Sequence, residues 1–113
     1  MHRHTREAET FFVLDGDLDG WAGSDHTVVS AGDTLYLPAG DDHAFRVKSD
    51  TARFLVLISP AGFERFFIQD GEPSRPDAEL PAPPGPPPPE AVERLAQILT
   101  EYGVEITGPP PTP

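Results

Sequence analysis

Short apolar runs broken by turn-forming residues fill the chain up to residue 60. Residues 9–14, ETFFVL, are aromatic and β-branched and stop at Asp15–Gly16, which predicts a strand closed by a turn. Residues 17–31 are glycine-punctuated and predict small strands over Leu18–Ala22 and His26–Ser30. A turn at Gly32–Asp33, a strand over Thr34–Leu37 and a break at Pro38–Gly40 follow. HAFRVKS (43–49) and ARFLVLIS (52–59) predict two more strands, separated by the turn-prone Ser49–Asp50. Several short strands at close spacing predict an all-β fold, an antiparallel sandwich or barrel.

The period then changes. Phe63, Phe66 and Phe67 fall at i, i+3 and i+4, the spacing of one helical face, and predict one or two helical turns flanking the barrel. Residues 72–89 are proline-rich and predict a semi-rigid spacer with polyproline II character. Val92, Leu95, Ala96, Leu99 and Tyr102 line one face of an amphipathic helix over 90–102, with Gly103 as its stop. VEIT (104–107) adds a short strand. The expected division is a barrel over 1–70, a linker over 71–89, a helix and strand packed on the barrel over 90–107, and a tail over 108–113. On this reading Leu95 is buried, and Leu95→Ala costs about 2–4 kcal/mol.

Composition narrows the class. The 113 residues suit one domain, and 15 prolines shorten its ordered part. So small a core gains from a metal, an oligomer interface or both. The net charge of −11 argues against nucleic acid and anionic membranes as partners. No cysteine is present, which removes disulfides, thiolate metal sites and cysteine nucleophiles. No stretch has the length and apolarity of a membrane span. The chain reads as a soluble, cytoplasmic protein.

Candidate chemistry lies in the histidines. His2 and His4 are two apart, so on an extended strand both imidazoles project from one face, where one ion can bridge them. Glu7 and Glu9 both have the wrong parity for a continuous strand, so a turn or bulge within residues 5–8 must reset the register, and parity alone does not choose between them. His26 reads as a histidine of a surface turn, and Asp15, Asp17 and Asp19 as a solvated turn lacking the offsets of a calcium loop. Among Phe11, Phe12, Trp21, Tyr36, Phe45 and Phe54, most read as core and one or two as pocket wall.

Two motifs carry a resemblance. His2, His4, Glu9 and Gly16 are similar in order and spacing to the first motif of the cupin superfamily. Gly32, five residues, Pro38-Ala39-Gly40, two residues and His43 are similar to the second, with Val47 where the family often has asparagine. The segments SPAGFERFF and YGVEITGP look like small single-domain bacterial cupins of the quercetin-dioxygenase-like kind. The resemblance implies an antiparallel jelly-roll barrel. It also implies one divalent ion (Fe, Mn, Ni, Cu or Zn) held by His2, His4, Glu9 and His43, with Glu9 as both ligand and catalytic base. The implied function is dioxygenase-like oxidation of a small enolic or phenolic molecule; the alternatives are a non-catalytic binding cupin and a metal-dependent isomerase or decarboxylase. Cupins carry strands before the first motif, whereas here it begins at residue 2. That open edge predicts either a longer natural chain or a neighbouring copy that fills it, hence a homodimer through residues 9–14 and 52–58.

Overall fold

The computed structural model of the chain describes residues 1–79, 81–82 and 84–112. The linker expected over 71–89 and the tail over 108–113 thus include three positions outside the described residues: Leu80, Pro83 and Pro113.

Among the described residues, ten elements follow in order. They are β1 (His2–His4), β2 (Ala8–Asp15), β3 (Asp17–Ala22), β4 (Asp25–Ser30), β5 (Thr34–Leu37), β6 (His43–Val47), β7 (Arg53–Ser59), α1 (Glu64–Asp70), α2 (Pro89–Glu101) and β8 (Val104–Ile106). The strands form two antiparallel sheets, ordered β4-β3-β6-β1-β8 and β5-β2-β7. This is the expected antiparallel barrel with a C-terminal helix.

The core follows from the period of two. Phe11 and Val13 point inward from β2 and meet Leu18, Val29 and Leu37. Phe11 lies edge-on to Phe45 of β6 at 5.0 Å between ring centroids and stacks on Phe54 of β7 at 5.5 Å, so one ring joins both sheets. Gly16 turns the chain from β2 into β3 with φ +79°, and a Cβ there would sit 2.3 Å from the Thr51 carbonyl oxygen, so only glycine fits.

The other face of β2 is apolar too. Phe12 lies opposite Leu55, and Thr10 lies between Tyr36 and Leu57. Phe12, Leu14, Tyr36, Leu55 and Leu57 are all exposed, so the outer surface of the three-stranded sheet is an open apolar face. Of the six aromatics expected to be core or pocket wall, Phe12 and Tyr36 are therefore neither.

The outer face of the other sheet corrects two readings. Asp19 is buried instead of lying in a solvated turn: it accepts hydrogen bonds from Arg46 Nη2 at 2.5 Å and pairs with His26 Nε2 at 2.8 Å. His26 stands in β4 opposite Trp21, not in a turn, and its ring lies 4.9 Å from the indole. Arg46 first, and His26 second, hold the Asp19 carboxyl below the usual carboxylate range.

The expected open edge is closed from within. β8 pairs antiparallel with β1, His2 opposite Ile106, Arg3 opposite Glu105 and His4 opposite Val104. Arg3 Nε donates to Glu105 at 2.6 Å across the same pair. The neighbour of β1 therefore comes from the C-terminal segment, and no second copy is required at that edge.

Helix α2 also departs from expectation. None of its residues is buried, and Leu95 keeps 42 % of its surface exposed. The full cavity penalty expected for Leu95→Ala does not apply, because the side chain lacks enclosing neighbours. The helix begins at Pro89, where a missing N–H costs no bond. Its far end is tied down: Tyr102 donates its hydroxyl to Gln69 and packs edge-on against Phe63 and Phe66.

Candidate metal centre

Each donor is placed by a separate local rule. His2 and His4 share a face of β1 and are flanked on either side by β6 and β8. His43 opens β6 directly opposite His2. The preceding turn is fixed by Gly40, whose φ of +87° suits glycine and whose N–H donates to the His4 carbonyl at 2.8 Å. Glu9 comes from the other sheet, inward-facing on β2 between Leu37 and Ile58. The bend at residues 5–7 carries the chain from one sheet to the other. Parity along one strand therefore does not apply between His4 and Glu9.

The side chains converge. One ligand atom from each of His2, His4, Glu9 and His43 lies within 4.8 Å of all the others. The ring centroids of His2 and His43 are 4.4 Å apart, those of His2 and His4 5.3 Å, and those of His4 and His43 5.5 Å. His43 is 1 % exposed and His4 3 %. Phe63 closes one wall, edge-on to the His4 ring at 4.7 Å.

Hydrogen bonding within the group is incomplete. His43 Nε2 lies 2.8 Å from Glu9 Oε2, yet off the direction of a hydrogen bond, and it is a buried nitrogen with no partner. His4 Nε2 is 3.7 Å from the same oxygen. Buried polar atoms are ordinarily partnered, so an unpartnered imidazole nitrogen aimed into a cluster of donors fits a cation between them. Three imidazoles and one carboxylate are also a donor set that first-row divalent ions accept.

Behind this set lies a residue that strand parity could not assign. Glu7 is buried, with Oε2 3.6 Å from His4 Nδ1, and both atoms lack a hydrogen-bond partner. Its carboxylate thus stands on the far side of the His4 ring from Glu9. A carboxylate placed there is positioned to accept the His4 Nδ1–H once the two close to hydrogen-bond distance, the contact that orients a ligating imidazole. The proximity of Glu7 to His4 in the chain was the available signal.

The electrostatics favour a neutral imidazole at His2. Burial first, then the neighbouring His43 and His4, push the His2 pKa down to about 4. Burial pushes Glu9 upward, but His43 in contact and the nearby His4 and His2 outweigh it, leaving the carboxyl below its usual range. Between pH 6.5 and about 4 the unfolded chain binds a proton that native His2 refuses. The metal-free protein is therefore expected to lose stability as pH falls through that window and to show no His2 contribution above it. Denaturant midpoints between pH 4 and 8 check this; a flat profile would contradict the burial of neutral His2.

The cluster opens into a cavity of about 720 Å³. Phe45 and Val104 form part of its floor, α2 presents Val92, Leu95 and Leu99, and Pro86, Pro87, Pro109 and Pro110 contribute to its walls. The proline-rich stretch and the expected tail thus border the cavity.

An antiparallel barrel with a three-histidine, one-glutamate cluster at its mouth defines a class of small β-barrel proteins able to hold a metal ion. Residues 1–58, just over half of the chain, match the Cupin domain family, and the chain belongs to it. It is 32 % identical over 72 residues to quercetin 2,3-dioxygenase of Bacillus subtilis (strain 168), covering 64 % of this chain and 21 % of that one. It is 38 % identical over 52 residues to an uncharacterized protein of Streptomyces coelicolor, covering 46 % of this chain and 50 % of that one. The chain thus spans half or less of the length of these relatives. Among the described residues, no helix is long and apolar enough to cross a membrane.

Proposed function

We propose that the chain is a mononuclear metal cupin with dioxygenase-like activity on a small enolic or phenolic molecule. The observation that carries this reading is the convergence of His2, His4, Glu9 and His43 within 4.8 Å. The likeness to a dioxygenase supports the reaction type. These four residues would hold one divalent ion, whose Lewis acidity and open positions supply the chemistry when it is bound. Both atoms of dioxygen enter the substrate, so no external reductant is required. Glu9 is the carboxylate within reach of a hydroxyl presented there and would take its proton. Glu7 would hold His4 in the ligating tautomer. The apolar walls would keep bulk water from the reacting atoms.

The test is oxygen consumption. Protein reconstituted separately with Fe(II), Mn(II), Ni(II) and Cu(II) is expected to consume oxygen with members of a catechol and enol panel. His43→Ala is expected to lose that uptake. Tight ligand binding without uptake for any metal would select the non-catalytic binding cupin; product formation without oxygen would select an isomerase or decarboxylase.

We propose further that the chain works as a cytoplasmic homodimer. With the β1 edge closed by β8, its support is now the open face bearing Phe12, Leu55 and Leu57. Sedimentation equilibrium at micromolar concentration is expected to give twice the monomer mass, and a clean monomer would refute the dimer.

A further inference from the structure

We propose that the space between α2 and the barrel mouth binds a ligand of defined polarity: an uncharged hydrocarbon-rich body with a single oxygen-bearing end. The end rests on the metal reading above; the body rests on the cavity alone.

Three observations converge on this ligand. First, the cavity of about 720 Å³ has the size of sites that enclose small organic molecules. Second, its polar side chains, among the described residues, are those of His2, His4 and Glu9, and they sit together at one end. Among the described residues, the rest of the lining carries no charged side chain and no side-chain hydroxyl or amide. Ordered water needs two to four polar partners, so this space holds water poorly. The lining's cation is the Met1 α-ammonium, which already donates to the Gly108 and Pro109 carbonyl oxygens at 3.4 Å, and the chain's net charge of −11 repels a polyanion.

Third, the helix roof is unsatisfied. Val92 and Leu95 project from the apolar face of α2, yet both stay at least 40 % exposed. The helix is held at its C-terminal end, beyond the cavity: Tyr102 bonds Gln69, and β8 follows directly in the sheet. Its apolar face therefore spans an opening instead of closing on the barrel. A hydrocarbon body lying between α2 and Phe45 would cover that face and remove it from water. The outer face of the three-stranded sheet is an exposed surface instead of an enclosure.

Two binding measurements test this. The neutral fluorophore N-phenyl-1-naphthylamine, added to metal-free protein, probes the body alone. It is expected to bind one per chain. Leu95→Asp is expected to weaken it at least tenfold, Leu95→Met to retain it, and Leu57→Lys on the open sheet to leave it unchanged. Circular dichroism confirms that each variant is folded, and Val92→Asp serves as a second probe of the roof. No binding, binding indifferent to both Asp variants, or loss in Leu57→Lys would overturn the proposal.

The second measurement uses straight-chain hydroxamates from two to eight carbons on zinc-loaded protein. Affinity is expected to rise about three- to fourfold per added methylene, and Leu95→Asp to flatten the series. Zinc-dependent binding that ignores chain length would overturn the proposed body while leaving the metal reading intact. Fluorophore binding without zinc-dependent hydroxamate binding would overturn the metal reading, and with it the oxygen-bearing end, while supporting the apolar site.

Discussion

His4→Ala is expected to abolish stoichiometric binding of a divalent ion, which the unaltered chain should hold at about one per molecule. His4 is the most constrained of the four donors. It lies in a strand paired on both sides, its ring is packed against Phe63, and its Nε2 faces Glu9. Alanine preserves the backbone pairing, so the variant should fold while losing a buried ligand. Loss of one ligand is expected to exceed the 10- to 100-fold effect typical of an outer partner such as Glu7. Because the ligands come from β1, β2 and β6, binding draws both sheets together and couples to folding. Chelator should therefore lower the melting temperature of the unaltered protein and leave that of His4→Ala unchanged. Elemental analysis and thermal unfolding read both effects. Full binding by a His2→Ala/His4→Ala/His43→Ala variant would sink the assignment.

Phe11→Ala should produce the largest loss of stability in the chain, about 3–5 kcal/mol. Phe11 is 2 % exposed and touches Phe45 in one sheet and Phe54 in its own. Truncation removes the transfer energy of a buried aromatic, its ring contacts and the link between layers. The collar of core residues is short, so the void has little material to collapse into it. Against a total of about 5–15 kcal/mol for a domain, such a loss threatens folding at ordinary temperature. Denaturant unfolding measures it; a change below about 1 kcal/mol would mean that the sheets do not meet through this ring.

The legible parts of this chain were those set by local pattern. Residues 9–14 alternate around Phe11 and Val13, and β2 forms there. The His2–His4 pair was legible from its spacing, whereas His43 joined it only through the resemblance of the Gly32–His43 segment to the second cupin motif. Glu9 was harder, because its geometry depends on a change of sheet between His4 and Ala8, which no period along one strand reports. Asp19 was misread for a related reason: its partners, Arg46 and His26, reach it across β6 and β4. The strand over 104–106 was visible as VEIT, but its place beside β1 was not, since strand order depends on long-range pairing. For α2 the apolar face was plain and its surroundings were not. Periodicity identifies a side that avoids water, but not whether protein or open space lies opposite.

The pairing of β1 with β8 bears on the order in which the molecule is assembled. Arg3 and Glu105 are 102 positions apart, nearly the whole chain. Closing so long a loop is entropically unfavourable until intervening contacts have shortened it. Hairpins such as β3–β4, whose turn spans only Gly23 and Ser24, face no such delay. The strand carrying His2 and His4 is therefore expected to gain its outer neighbour late in folding, so amide protection of Arg3 in pulsed hydrogen exchange should lag that of β3 and β4.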